Sequence, residues 1–282
     1  MQIIILSGRS GSGKTVALHA LEDQGFYCVD NLPISLLPEL ADKLANRQDL
    51  AISIDARNLS RDLLEFPEVM DTLKSRGLKP NIIYIDADEA ILLKRFSETR
   101  RRHPLTQSGL SLREAIAREE TLLAPVADQA NLLVDTSDIS PHQLREFIRR
   151  RILEKEGNQI DLMFVSFGFK YGVPKDADFV FDVRCLPNPH WEEELRPLTG
   201  LDPAIVEYLG QSQTVMEYQW QVKVFLSNWL PRFDSQDRSY LTVAIGCTGG
   251  KHRSVFMAEY MAREFASQYP GTRVFHRELG KE

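Results

Sequence analysis

The chain of 282 residues predicts an α/β protein made of two parallel-sheet units, the first carrying a phosphate-binding loop. Three observations support this. Short β-rich runs alternate with helical periodicity through the first half, at IIIL (3–6), FYCV (26–29), AISID (51–55), NIIYID (81–86) and LLVD (132–135). Such alternation is the mark of parallel strands joined by crossover helices. A glycine-rich phosphate-loop sequence directly follows the first of these strands. A polar break, Glu156-Gly157-Asn158-Gln159, then precedes a second α/β series, which places the boundary between units spanning 1–155 and 160–282.

In the first unit two helices announce their starts. Ser111 with Glu114 three residues on is a capping box, and Ser140 followed by Pro141 and Gln143 is another. In the second unit the predicted elements are strands over LMFVSFGF (162–169) and FVFDVR (179–184), a helix from Val215 to Leu230, a strand over LTVAIG (241–246), a helix from about Ser254 to Ser267 and a strand over RVFH (273–276).

Composition bounds the function. With 43% hydrophobic and 26% charged residues, the chain can bury a sizeable core. The N-terminal apolar run Ile3 to Leu6 is too short for a signal core or a membrane span, so a cytoplasmic protein without a membrane partner is expected. Cys28, Cys185 and Cys247 form no C-x-x-C pair, which suggests neither a disulfide framework nor a zinc site. A net charge of −6 argues against a general nucleic-acid coat and leaves local basic patches, KRFSETRRRH (94–103) and REFIRRRILEK (145–155).

Gly8-Arg9-Ser10-Gly11-Ser12-Gly13-Lys14-Thr15 matches G-x-x-x-x-G-K-[ST] in full, between a strand and the helical run VALHALED. Its glycines let backbone N–H groups converge on phosphate oxygens at a helix N-terminus. Lys14 would reach the β and γ phosphates of ATP, and Thr15 would ligate Mg²⁺. The metal also calls for an acid at the end of a neighbouring strand, where Asp55 and Asp86 both stand, and the pattern leaves the two open. Lys14, Thr15 and Asp86 are the expected catalytic set. Asp55-Ala56-Arg57-Asn58 could instead read a guanine, whose N–H donors suit a carboxylate. The arginines at 95, 100, 101 and 102 precede a Pro-containing loop and resemble the lid of small nucleoside and shikimate-type kinases.

In the second unit, Cys247 to Ser254 fits C-x-x-G-x-x-R-[ST], the loop of cysteine-dependent phosphatases, again after a strand and before a helix. In such a loop a thiolate lies under a cradle of N–H groups and the arginine binds two phosphate oxygens. The residue before the cysteine is Gly246, where those phosphatases usually carry a histidine. Lys251 and His252 add phosphate-seeking donors. Asp182 closes the FVFD run and Arg184, Asn188 and His190 follow it, at the strand end where α/β sheets gather ligands. The residues alone thus leave three classes open: a nucleotide-binding regulator, a small-molecule kinase that uses Asp30 and the arginine lid, and a cysteine phosphatase.

Ala20 to Pro33, SIDARN, RPLTGLD and TVAIGCTGGKHRS, together with the glycine-rich opening, closely resemble the RapZ family of bacterial RNase adapter or nucleotide-binding proteins, over nearly the whole chain. The resemblance implies a kinase-like N-terminal domain with ATPase and GTPase activity. Its ATP segment falls on Gly8 to Thr15 and its GTP segment on Asp55, Ala56, Arg57 and Asn58. It implies a C-terminal domain with phosphofructokinase-like character that binds glucosamine-6-phosphate through His190, Thr248, Gly249, Lys251, His252 and Arg253. It also implies small-RNA binding, delivery to RNase E, a two-component sensor system as a further partner, and a homotetramer. Enterobacterial members end in a markedly basic tail, whereas this chain ends His276-Arg277-Glu278-Leu279-Gly280-Lys281-Glu282, whose acids remove phosphate contacts.

Overall fold

The computed structural model describes residues 1–44, 48–57, 63–150, 160–234 and 240–279. Asn58, the break at 156–159, part of the second basic run and the last three residues lie outside them. The chain divides into two compact units, Met1–Glu154 and Lys155–Glu282.

In the first unit the predicted apolar runs become β1 (Ile3–Ser7), β2 (Tyr27–Val29), β3 (Leu50–Ile54), β4 (Pro80–Asp86) and β5 (Leu132–Asp135). They pair in parallel in the order β2-β3-β1-β4-β5. Every residue of β1 and β3 is buried, as expected for central strands covered by helices on both faces. The helices are α1 (Lys14–Glu22), α2 (Leu37–Leu44), α3 (Phe66–Ser75), α4 (Glu89–Thr99), α5 (Leu112–Ala127) and α6 (Pro141–Ile148). Ile3, Ile5, Ile52, Ile54, Phe66 and Leu123 meet in one core between sheet and helices. Both capping boxes form: Ser111 caps α5 with Glu114, and Ser140 caps α6 with Gln143.

The second unit holds β6 (Asp161–Gly168), β7 (Phe179–Asp182), β8 (Tyr240–Cys247) and β9 (Arg273–His276), all parallel in the order β7-β8-β6-β9. Its helices are α7 (Pro203–Gly210), α8 (Gln213–Asp234) and α9 (Arg253–Phe265). β6 and β8 are buried throughout, and Phe164, Ile245, Met257 and Phe265 anchor the core. In both units the motif loop leaves the C-terminal end of a central strand and enters a helix, the position where parallel sheets collect ligands.

Candidate functional site

The loop from Gly8 to Gly13 joins β1 to α1. Gly8 has φ +136, and a Cβ there would lie 1.8 Å from the Ile85 carbonyl of β4. Only glycine lets the loop leave β1 so close to the neighbouring strand. Gly13 caps α1 in the left-handed region.

Side-chain donors hold the loop's carbonyls. Lys14 Nζ donates to the Gly8 carbonyl at 2.7 Å and the Arg9 carbonyl at 3.1 Å. Arg95, on α4, donates to the Gly11 carbonyl at 3.0 Å and to the Thr136 carbonyl at 2.6 Å. Thr136 Oγ1 in turn donates to the Ser12 carbonyl at 2.7 Å. Arg95 is thus a pillar of the loop, while Arg100, Arg101 and Arg102 are exposed, so the arginines that the sequence groups as one lid divide into two roles. The cause is helical geometry: Arg95 lies within α4, and Arg100 ends that helix in the left-handed region at φ 51.

The two strand-end acids are both engaged by arginine. Arg9 Nε donates to Asp86 Oδ1 at 2.8 Å and Nη2 to Oδ2 at 2.9 Å, a bidentate pair. Burial pulls the Arg9 pKa down, but the Asp86 hydrogen bonds and charge, helped by Glu120 and Tyr84, outweigh it and the net shift is upward. Asp55 accepts from the Arg57 backbone N–H at 2.8 Å and from Arg57 Nε at 2.9 Å. Arg57 also lies 3.4 Å from Asp30, which takes a hydrogen bond from Ser53. Ile54 is in register with Ser7, so this turn stands beside the phosphate loop. Ala56 is buried within it. Burial lowers the Lys14 pKa; Glu119, Asp55 and Asp30 oppose the fall, and Arg57 adds to it.

Glu119 of α5 is a residue that no sequence motif marks. It is fully buried and accepts hydrogen bonds from Ser10 N–H at 2.8 Å, from Ser10 Oγ at 2.8 Å and from His103 Nε2 at 2.9 Å. Thr136, which contacts the loop, and His103, which acts on it only through Glu119, carry no sequence signal for these roles, because the loop lies far from both in the chain.

In the second unit, β8 ends at Cys247, opposite Gly168 of β6, and Gly246 faces Asp182 of β7. A Cβ on Gly246 would lie 2.5 Å from ring carbons of Phe167 and Phe169, which explains why no histidine precedes this cysteine. Cys247 is 3% exposed. Its Sγ accepts from the Gly250 N–H at 3.2 Å and shares a 3.1 Å hydrogen bond with Ser254 Oγ.

Arg253 opens α9 and is 5% exposed. Its Nη1 donates to the Arg184 carbonyl at 2.9 Å and the Leu186 carbonyl at 3.0 Å, which fixes the loop after β7 against the loop after β8. Its Nε is buried with no hydrogen-bond partner among the described residues. That loop carries His190, whose ring centroid lies 6.4 Å from that of His252. Burial lowers the His252 pKa, while backbone carbonyls of Leu198 and Arg196 oppose the fall, and His190 and Arg253 add to it. The Lys251 carbonyl accepts from the Gly200 N–H at 2.8 Å, so the RPLTG segment braces the cradle. Thr248 and Lys251 are exposed, Gly249 and His252 lie partly buried and Arg253 is buried. Asp182 is held below its usual pKa by its hydrogen bonds to Arg184, whose guanidinium stacks 4.0 Å from the Phe169 ring centroid.

An all-parallel sheet in this order, with a glycine loop between β1 and α1, defines the first unit as a P-loop kinase-like domain, here joined to a second α/β unit with its own glycine-rich turn between a central strand and a helix. The family described as RapZ-like N-terminal domain matches residues 1–156 and the RapZ C-terminal domain matches residues 160–280; the chain belongs to the RapZ family. It is 51% identical over 282 residues to a protein of Pseudoalteromonas atlantica named "Nucleotide-binding protein", covering 100% of both chains. It is also 51% identical over 282 residues to "RNase adapter protein RapZ" of Salmonella arizonae, covering 100% of this chain and 99% of that one. Among solved structures, shikimate kinase from Bacteroides thetaiotaomicron is 16% identical, covering 55% of this chain and 99% of the kinase at a TM-score of 0.39. Among the described residues no helix is long and apolar enough to cross a membrane.

Proposed function

We propose that the chain is a nucleotide-binding regulator whose second unit senses an amino-sugar phosphate, glucosamine-6-phosphate, and acts as an RNase adapter that binds small RNA and presents it to RNase E. The observation that carries the sensing half is the orphaned Nε of Arg253. A buried guanidinium donor without a partner costs free energy, and a phosphate oxygen at the start of α9 would satisfy it. Thr248, Gly249, Lys251 and His252 precede Arg253 in the same loop and His190 lies on the loop that Arg253 fixes, so the reading takes them as further donors, with Cys247 as a wall of the site. The adapter half is supported by relatives that carry that name over the full length. A cytoplasmic setting, a two-component system as a further partner and a homotetramer belong to the same reading.

For the first unit the reading is a slow ATPase and GTPase. Gly8 to Thr15 hold the phosphates, and Asp55, Ala56 and Arg57, with Asn58 outside the described residues, are offered as the guanine-reading turn. Mg²⁺ suits the oxygens of Thr15 and of the nucleotide, with Asp86 and Asp55, both committed to arginines, reached through water. Bound there, the ion would neutralise charge that develops on the terminal phosphate.

The test is calorimetry of the full chain with glucosamine-6-phosphate, glucosamine and glucose-6-phosphate, followed by RNA capture with and without the sugar. No preference for glucosamine-6-phosphate would sink the sensor reading. A second reading, small-molecule kinase, is favoured by one observation: Arg57 links Asp55 and Asp30 on the turns beside the phosphate loop, where a carboxylate would hold an acceptor hydroxyl. It fails if ATP turnover stays at bare hydrolysis with every acceptor offered.

A further inference from the structure

Glu119 stands apart from the motif residues because its carboxylate takes two of its three hydrogen bonds from the phosphate loop itself. Oε2 accepts the Ser10 backbone N–H and Oε1 accepts the Ser10 hydroxyl, each at 2.8 Å. The third bond fixes its orientation. The Leu105 N–H donates to His103 Nδ1 at 3.2 Å, so Nε2 carries the ring proton and donates to Oε2 at 2.9 Å. Every donor therefore points at the carboxylate, and the whole group is sealed from solvent, with both the Glu119 and His103 side chains at 0% exposure.

The location of this charge matters as much as its bonds. Ser10 is the third residue of the loop, directly beyond the Gly8 and Arg9 carbonyls that receive Lys14 Nζ. Lys14 is the residue that meets the β and γ phosphates in a loop of this type. Glu119 thus holds a negative charge at the terminal-phosphate end of the loop and occupies an N–H of the kind that phosphate oxygens use. Thr136 and Arg95 brace the loop at Gly11 and Ser12 without bringing any negative charge to it.

We infer that Glu119 is a specificity-determining residue of the nucleotide site, a built-in carboxylate that competes with the terminal phosphate for the loop and so favours diphosphate over triphosphate. This rests on the nucleotide-binding reading. Like charges at short range in a partly dry site repel by more than thermal energy, and the repulsion grows with the charge on the incoming phosphate. His103 acts through Glu119 as a positioning residue, since it holds the carboxylate on Ser10 and touches no loop atom in its own right.

The experiment is titration of the full-length protein with Mg·ATP and Mg·ADP, for wild type, Glu119→Gln and Ser10→Gly, with thermal melting to establish that each variant is folded. The expected result is that Glu119→Gln binds ATP about fivefold tighter while ADP affinity changes less than about twofold. Ser10→Gly removes the hydroxyl grip on Oε1 yet leaves the glycine-rich loop intact, and should shift the same ratio in the same direction by a smaller factor. This second variant keeps the inference testable if Glu119→Gln does not fold. A purely structural role predicts the opposite, equal weakening for both nucleotides. Folded variants that bind ATP no tighter, or that change ATP and ADP alike, would overturn the inference and leave the nucleotide reading standing. If the wild type binds neither nucleotide, the nucleotide reading itself falls.

Discussion

Arg253 Nη1 lies 3.0 Å from the Leu186 carbonyl, and through this contact the helix start after β8 holds the loop after β7. The same guanidinium therefore does two jobs. Nη1 fixes the loop bearing His190, and the buried Nε has no hydrogen-bond partner among the described residues, which makes it the donor assigned to the phosphate in the proposed site.

Arg253→Ala should cost phosphosugar binding about 2 to 4 kcal/mol, the worth of a charged hydrogen-bond pair plus the lost brace. Arg253→Lys should fail to restore it, because an ammonium on a flexible stem cannot bond two carbonyls and an anion with one rigid fork. Calorimetry with glucosamine-6-phosphate reads both, and unchanged affinity in Arg253→Ala would contradict the assignment.

Lys14→Ala should lower nucleotide hydrolysis by about a hundredfold or more, as loss of a phosphate clamp does. It should leave glucosamine-6-phosphate affinity unchanged, because the two loops belong to separate compact units. A folded variant that loses both activities would show that the sites are coupled.

Gly8→Ala should destabilise the first unit by about 3 kcal/mol or more, since φ +136 is barred to a side chain and the new Cβ would overlap the Ile85 carbonyl. Gly25→Ala is the control. Its φ of +90 is also left-handed, but no atom lies within 4 Å of the added Cβ, so only the conformational cost of about 1 to 2 kcal/mol is expected. Thermal melts of the two variants give the comparison.

Alkylation should select among the thiols. Cys185 is exposed and should react first with iodoacetamide at neutral pH, ahead of the half-buried Cys28 and the buried Cys247. Burial, aided by Glu22, pushes the Cys28 thiol up to about 11. Folding therefore favours the protonated thiol. Its contribution to stability is complete below the unfolded-state value of 9.0 and is lost as pH rises through about 11. Cys28→Ser should flatten that alkaline fall in a pH series of melting temperatures, and an unchanged slope would refute the assignment.

Much of the fold was legible because its signals are local. Apolar runs of four to eight residues gave the strands, and all nine predicted runs became strands within a few residues of their expected ends. Ser111 with Glu114 and Ser140 with Gln143 gave two helix starts, since a capping box lies within one turn of chain. The glycine loops were equally plain, because tight turns around phosphate demand residues without side chains at fixed spacing.

The sequence by itself therefore determined two parallel α/β units, each with a glycine-rich turn between a central strand and a helix. Only the tertiary structure decided what supports those turns. Arg95, Glu119 and Thr136 reach the first loop from segments about 80 to 125 residues away in the chain, His103 acts on it only through Glu119, and Arg253 reaches across 67 residues to Leu186. Periodicity and motif spacing report on neighbours within a turn or a strand, whereas buried hydrogen bonds between distant segments are set by how the sheet orders its strands.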